Sequence, residues 1–265
     1  MRISRRQFTA AVTGAAASLV LPRQSVAAEP IQWLLFTKSA GFEHDVIKRK
    51  GDEPSYLAKH LTPLFAERGI TLVESKDGRL FEPEAIKAYA GFVFYTTEDL
   101  TTPGKDGQPP MTKAGKAALL SAVAAGVPFI GLHCASDTFH ALEGQPPDEF
   151  TRMLGGEFDS HGEQQRATAR IVDANFPGIG THADWTFNEE WYALKNHAPD
   201  IRPIQVLETK GMKGDTYQRE PFPITWTREH GKGRVFYTAL GHREDVIAGR
   251  PFQRLIGGAI DWCRR

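Results

Sequence analysis

Four of the nine histidines in this sequence come shortly after a glycine or another small residue, in a probable turn. They are His44, His133, His161 and His242, and they lie far apart along the chain. An imidazole titrates near neutral pH, so histidine suits general acid and base catalysis, and its neutral ring is also a common metal ligand. If folding brings these segments together, the four side chains form one reactive cluster.

Other residues near these histidines could bind a substrate. Glu190 is a candidate catalytic carboxylate, and Trp191 beside it would suit a pyranose ring, although a tryptophan more often packs in the core. Asp137 could orient an imidazole or bind sugar hydroxyl groups, and Phe42 offers an apolar surface. Arg243, directly after the last of the four histidines, could hold a developing oxyanion.

Cys134 directly follows His133, but the two are poorly placed as a nucleophile and its base. Neighbouring side chains on a strand point to opposite faces, so a small buried thiol is the better interpretation. The other cysteine, Cys263, lies in a predicted terminal helix, and we expect two free thiols. The signatures of serine hydrolases, P-loop NTPases and dinucleotide-binding enzymes are missing after the predicted strands.

The elements that must position these residues alternate between strand and helix in the first half of the chain. Apolar runs predict strands at 32–38, 70–74, 91–97 and 127–133, with helices at 56–68, 83–89 and 112–125. Pro63 predicts a kink or a break in the first helix. Continuous apolar strands separated by helices indicate a parallel sheet covered on both faces. In such sheets, ligands bind beyond the carboxyl ends of the strands, where His133 and His242 are expected.

The second half of the chain is richer in extended segments. These are predicted at 165–173, 185–194, 204–209, 223–228 and 234–240, with a hairpin turn at 229–233 and a closing helix at 252–263. His44 and His161 are expected in loops. The sequence thus predicts one α/β domain whose later strands either extend the sheet or add a β-rich lobe.

The start of the chain has the pattern of an export signal. Arg5 and Arg6 precede a short apolar stretch rich in small residues, so residues 1–28 are predicted to be a twin-arginine signal peptide and 29–265 the mature domain. This predicts a periplasmic or other extracytoplasmic protein with no membrane span after cleavage. Acidic and basic residues balance at 32 each, which gives no sign of a nucleic-acid partner. The sequence leaves monomer and homo-oligomer open.

Six segments together resemble the ThuA-like, trehalose-utilisation family. They read KSAGFEH, FIGLHCASDTF, MLGGEFDSHG, NEEWY, PITWTREHGKGRVFYTALGH and FQRLIGGAIDWC, and they run from the first strand to the terminal helix. The resemblance implies a flavodoxin-like fold related to class I glutamine amidotransferase domains, a three-layer fold with a mostly parallel sheet. It also implies a setting in sugar catabolism, beside oxidoreductases that produce 3-keto sugars.

The kinship with amidotransferases implies what became of their catalytic residues. His133 stands at the position of their cysteine nucleophile, and Cys134 is one residue out of register. His242 and Glu244 resemble their late histidine and glutamate. Without the nucleophile, glutamine hydrolysis is rejected as the main activity.

We therefore expect an exported enzyme acting on 3-keto glycosides or disaccharides as a lyase, isomerase or hydrolase. His133 and His242 would share the base and acid roles in removing a proton next to the keto group. One alternative is a metal-dependent hydrolase in which His44, His133 and His242 bind a divalent metal ion. Another is a carbohydrate-binding protein without catalytic activity.

Overall fold

A nine-stranded sheet runs through the protein, and a second sheet has two strands. The computed structural model describes residues 31–142, 144–180 and 184–265, so the predicted signal peptide lies outside the described residues. The strands are β1 (Ile31–Phe36), β2 (Ile70–Ser75), β3 (Phe92–Phe94), β4 (Phe129–Leu132), β5 (Glu157–His161), β6 (Gln165–Ile171), β7 (Trp185–Glu189), β8 (Tyr192–Lys195), β9 (Arg202–Glu208), β10 (Phe222–His230) and β11 (Gly233–Thr238).

Five neighbouring strands of the large sheet are parallel, in the order β2-β1-β3-β4-β11. The central strands β3 and β4 are buried along their whole length, as expected for a sheet covered on both faces. This order reverses direction between β1 and β3, and crevices form at such a point beyond the carboxyl ends of the strands. The predicted flavodoxin-like fold is confirmed.

The later strands extend the same sheet. β10, β9, β6 and β7 follow β11 as antiparallel neighbours, and β10 and β11 form the predicted hairpin. β5 and β8 pair with each other in the small second sheet. The large sheet therefore has a parallel half and an antiparallel half, joined at the pairing of β11 with β10.

The helices cover the sheet and close the chain. They are α1 (Tyr56–Ala66), α2 (Lys113–Ala125), α3 (Glu149–Leu154), α4 (Glu244–Ala248) and α5 (Arg250–Cys263). α2 begins where predicted, because the Thr112 side chain accepts a hydrogen bond from the Gly115 amide. α1 contains Pro63 yet is one helix, so the break allowed by the sequence is not present. The helix predicted at 83–89 is instead a 3-10 helix, Ala85–Ala88.

Several predicted strands end earlier than expected, and two of these differences concern candidate site residues. β4 stops at Leu132, and His133 begins a 3-10 turn, His133–Asp137, with a positive φ of 43°. The extended segment predicted at 185–194 is interrupted by Glu190 and Trp191, so that β7 belongs to the large sheet and β8 to the small one. Both interruptions lie at the candidate site.

The two cysteines are free and buried, as predicted. Burial raises the pKa of the Cys134 thiol well above its usual value, which disfavours the reactive thiolate. Cys134 lies in a turn rather than on a strand, so burial, and not strand geometry, makes it a poor nucleophile.

Across the described parts of the chain, the structure contains no helix with the length and apolar character needed to cross a membrane.

Candidate functional site

Three of the candidate histidines follow parallel strands at the same edge of the sheet. His44 comes after β1, His133 directly after β4, and His242 after β11. Their rings form a nearly equilateral triangle, with centroid separations of 5.1 Å for His44–His133, 5.2 Å for His133–His242 and 5.3 Å for His44–His242. The predicted convergence of these distant segments is present in the structure.

Glu190 lies at the centre of the histidine cluster. Its Oε2 is 3.3 Å from His133 Nε2, 3.6 Å from His242 Nε2 and 4.0 Å from His44 Nε2. Its Oε1 is 3.6 Å from Nδ1 of His161, the fourth candidate histidine. His161, which was predicted to lie in a loop, is the last residue of β5 and pairs with Tyr192 of β8. One carboxylate therefore faces four imidazoles.

The break between β7 and β8 aims the Glu190 side chain at the cluster. Glu189, the last residue of β7, accepts a hydrogen bond at Oε1 from the Glu190 amide and at Oε2 from the Gly241 amide. Trp191 is held by its indole, which donates to the Gln165 carbonyl. Glu189 thus ties the segment that carries Glu190 to the one that carries His242.

The charge state of the cluster follows from its burial. Burial, together with the neighbouring imidazoles, lowers the pKa of His44 to about 2 and that of His242 to about 4. Burial raises the pKa of the Glu189 carboxyl to about 7. For Glu190, burial acts in the same direction, but the facing imidazoles, His133 foremost, outweigh it and lower its pKa. Near neutral pH, His44 and His242 are neutral and Glu190 is ionised.

The His133 ring is fixed in one tautomer when it is neutral. Its Nδ1 lies 2.8 Å from the Ala239 carbonyl oxygen, which can only accept, so Nδ1 carries the proton. Nε2 is then a bare lone pair, is fully buried, and has no hydrogen-bond partner although it faces Glu190. The Tyr237 hydroxyl donates to the His133 carbonyl and holds the strained turn. A lone pair facing a carboxylate favours a cation between them, either a proton or a metal ion.

A cavity of about 600 Å³ opens beside this cluster. Glu190, His44, His161 and His242 line it, whereas His133 is fully buried and is not part of the lining. The remaining lining residues are Phe42, Thr97, Glu98, Asp137, His140, Ala141, Leu142, Phe158, Asp159, Tyr192 and Lys195. This volume is in the usual range for small-molecule sites.

Two apolar side chains project into solvent at this cavity. Phe42 is 67% exposed and Leu142 is 73% exposed, and no other large apolar side chain among the described residues is as exposed as either. Exposed apolar groups that border a polar pocket are typical of ligand-binding sites. The prediction that Phe42 contacts a substrate is consistent with its place in the lining.

A second histidine–carboxylate pair in the cavity was missed by the sequence analysis. His140 Nδ1 is 3.0 Å from Asp137 Oδ1 and 2.9 Å from the Asp137 carbonyl oxygen. Both neighbours are acceptors, so Nδ1 carries the proton and Nε2 of the neutral ring is available. The position of His140, three residues after the candidate site residue Asp137, was the available signal in the sequence.

Arg243 lies in an adjoining cavity that shares Phe42, Glu190 and His242 with the first. Its guanidinium forms two hydrogen bonds with Asp245 and one with Oε1 of Gln164. The Gln164 amide nitrogen consequently faces His242 Nδ1, at 3.3 Å. Arg243 is thus held beside the cluster rather than in the 600 Å³ cavity.

Two site assignments from the sequence need correction. Trp191 is 1% exposed, and its indole stacks on Phe187, so it belongs to the core and cannot form a sugar platform. His133 is fully buried, so it can act on a substrate only through Glu190.

The cluster has the composition and spacing of a metal site. One ligand atom from each of His44, His133, Glu190 and His242 lies within 4.8 Å of all the others. Three imidazoles and a carboxylate suit divalent first-row transition metals better than magnesium or calcium. These residues include the three histidines suggested as ligands by the sequence, and they add Glu190.

Solved structures of several proteins share the fold. A ThuA-like protein from Bacteroides uniformis is 19% identical with a TM-score of 0.67, covering 92% of this chain and 95% of that one. A ThuA-like protein from Parabacteroides merdae is 17% identical with a TM-score of 0.62, covering 89% and 90%. A β-galactosidase from Bacillus circulans is 12% identical with a TM-score of 0.51, covering 87% of this chain and 30% of that one. At these identities the likeness shows the fold alone.

No curated protein matches the chain. The model of one protein family, ThuA, described as trehalose utilisation, matches residues 32–263. That span includes every strand from β2 to β11, all five helices and the whole histidine cluster. The description connects the family with carbohydrates. The motifs, the fold and this match agree, and the chain belongs to the ThuA family.

Proposed function

We propose that the protein is an exported enzyme that acts on oxidised (3-keto) glycosides by moving a proton next to the keto group. The observation that carries the proposal is the convergence of four imidazoles on the Glu190 carboxylate beside a cavity of about 600 Å³. The family's connection with carbohydrates supports a sugar as the substrate.

The reaction needs two kinds of group. A carbonyl at C3 makes the hydrogen atoms on the neighbouring carbons acidic, so an uncharged imidazole can act as the base that removes one of them. The electron pair then moves to the carbonyl oxygen, where a hydrogen-bond donor or a cation must stabilise the negative charge. Return of the proton at another carbon gives isomerisation, and loss of the C1 substituent gives elimination.

The cavity contains candidates for both tasks. His140, oriented by Asp137, has an available Nε2 and can accept a proton from the substrate. His161 is 43% exposed in its side chain and is a second candidate base. The cluster around Glu190 and His242 is the stabilising side, because the neutral His242 ring can donate an N–H to the oxygen. His133, which is buried behind the cavity lining, positions the Glu190 side chain.

The test is hydrogen exchange in heavy water. Incubating the purified protein with a 3-keto disaccharide in D₂O is expected to remove the ¹H NMR signal of a carbon-bound hydrogen adjacent to the carbonyl, with or without further product. The parent disaccharide, which has no keto group, should keep all its carbon-bound hydrogens under the same conditions. The physical reason is that only the ketone stabilises the intermediate enolate.

Absence of both exchange and product with 3-keto glucosides would contradict the proposed reaction. If the sugar nevertheless bound saturably, as measured by calorimetry, the protein would be the carbohydrate-binding alternative. This outcome separates the two functions without a variant.

A prediction on substrate binding follows from the exposed ring at the cavity. Phe42→Ala is expected to raise KM for the keto-sugar about fivefold with kcat nearly unchanged, because an apolar contact of about 1 kcal/mol with the pyranose is lost. Steady-state kinetics on wild type and variant measure this. Val172→Ala is the matched control, since Val172 is also exposed but does not line the cavity. Equal KM values for wild type and Phe42→Ala would remove Phe42 from the binding surface.

A further inference from the structure

We propose that His44, His133, Glu190 and His242 bind a single divalent transition-metal ion, and we refer to these four residues as the metal cluster. The role of the ion, as the positive charge that stabilises the enolate oxygen, rests on the proposed function. Its binding rests only on the geometry of the cluster.

The bare lone pair of His133 indicates that a cation lies between this ring and Glu190. The hydrogen bond to the Ala239 carbonyl places the ring proton on Nδ1, and Nε2 is buried without a hydrogen-bond partner, 3.3 Å from Glu190 Oε2. Two acceptors in contact inside a protein repel each other unless a cation lies between them. A carbonyl acceptor on the far nitrogen is also the usual arrangement for a metal-bound histidine.

The spacing of the three imidazole rings matches the spacing around a tetrahedral metal ion. A tetrahedral zinc ion with Zn–N bonds of about 2.0–2.1 Å would hold three imidazole centroids about 5.2 Å apart and ligand atoms about 3.3 Å apart. The observed centroid separations are 5.1, 5.2 and 5.3 Å. The distances from Glu190 Oε2 to the three Nε2 atoms are 3.3, 3.6 and 4.0 Å. The ring centroids already have the separation that such an ion requires. Small side-chain shifts would shorten the distances from Glu190 Oε2 to the Nε2 atoms of His242 and His44.

The types of ligand also suit a metal ion. Three imidazoles and one carboxylate are ligands that divalent first-row transition metals prefer.

The ion would have access to the cavity and room for a substrate atom. The side chains of Glu190, His242 and His44 line the cavity and are 13%, 21% and 4% exposed, while His133 is buried behind them. Binding requires Nδ1 of His242 to carry a proton, so the Gln164 amide, which now turns its nitrogen toward Nδ1, must rotate to present its oxygen. The rotation breaks the hydrogen bond from Arg243 to Gln164 Oε1, but Gln164 is exposed, so water can replace that partner.

The test is direct metal binding to the purified full-length chain. After removal of metal with a chelator, titration with Zn²⁺ by calorimetry is expected to give one site per chain, and elemental analysis one equivalent after dialysis. Co²⁺ should give visible absorption bands typical of four- or five-coordinate nitrogen and oxygen ligation. A protein that binds neither ion stoichiometrically contradicts the proposal.

A matched pair of variants locates the site. His242→Ala should weaken zinc binding at least tenfold, because it removes a ligand whose ring is partly exposed and not needed for the core. His161→Ala should change the affinity less than threefold, because His161 also contacts Glu190 but lies outside the metal cluster. Equal losses in the two variants would place the ion elsewhere and overturn the assignment.

The outcome is separable from that of the proposed function. Zinc binding that depends on His242, without any exchange on a keto-sugar, would leave the metal site standing and refute the reaction. Hydrogen exchange on a keto-sugar by a protein that binds neither Zn²⁺ nor Co²⁺ would support the reaction and refute the metal site.

Discussion

Glu190→Gln is expected to lower turnover of a 3-keto disaccharide by about 10²–10³-fold while the protein remains folded. The carboxylate lies within 4.0 Å of all four imidazoles, so its charge determines whether the cluster can stabilise a cation. Glutamine keeps the size of the side chain but has no negative charge, and its amide would turn a donor or a neutral acceptor toward His133. The same change should also weaken zinc binding.

The measurement is kcat/KM from product formation, with circular dichroism and thermal unfolding as checks of the fold. Glu163→Gln is the control, because Glu163 is an exposed carboxylate that lines neither cavity at the site. Retention of wild-type kcat/KM by Glu190→Gln would show that the convergence of histidines on this residue has no catalytic meaning.

The second large effect is expected on stability, from Glu189→Ala. Both carboxylate oxygens of this fully buried side chain accept backbone hydrogen bonds, at 2.8 Å from the Glu190 amide and at 3.2 Å from the Gly241 amide. Removing them leaves two amides without these acceptors and creates a cavity. At about 1–3 kcal/mol for each buried unsatisfied group, we expect a loss of about 2–5 kcal/mol in the free energy of unfolding.

Glu189→Gln provides the graded comparison. Its single carbonyl oxygen can replace only one of the two hydrogen bonds, so its loss of stability should lie between those of wild type and Glu189→Ala. Urea denaturation followed by tryptophan fluorescence measures all three proteins. Unfolding free energies within 0.5 kcal/mol of each other, about the effect of an ordinary surface substitution, would show that this carboxylate does not hold the two segments together.

Much of the fold could be predicted because its signals are local. The apolar runs of the parallel strands and the capping of α2 by Thr112 depend on residues close in the sequence. The convergence of His133 and His242 followed from a general rule, since parallel strands end at the same edge of a sheet. Six weak motifs in order indicated the family, which the family match confirms.

The rest depends on contacts between distant residues. Nothing local to the segment around Glu190 indicates that the strand breaks there, because the break is held by Gly241 and Gln165. Trp191 was predicted to contact a sugar because it directly follows Glu190, whereas packing against Phe187 buries it in the core. In the same way, the burial of His133 comes from segments around it that no single stretch of sequence reveals.

The two-residue junction between β7 and β8 has a consequence for comparing members of this family. The parallel half of the sheet supplies the three rings, but the carboxylate comes from the antiparallel half. A relative with one residue inserted or deleted at this junction would keep its imidazoles yet present the opposite side of the chain to them. The length of that short link, rather than overall similarity, is therefore the feature by which homologues that keep the carboxylate among the imidazoles could be told from those that lose it.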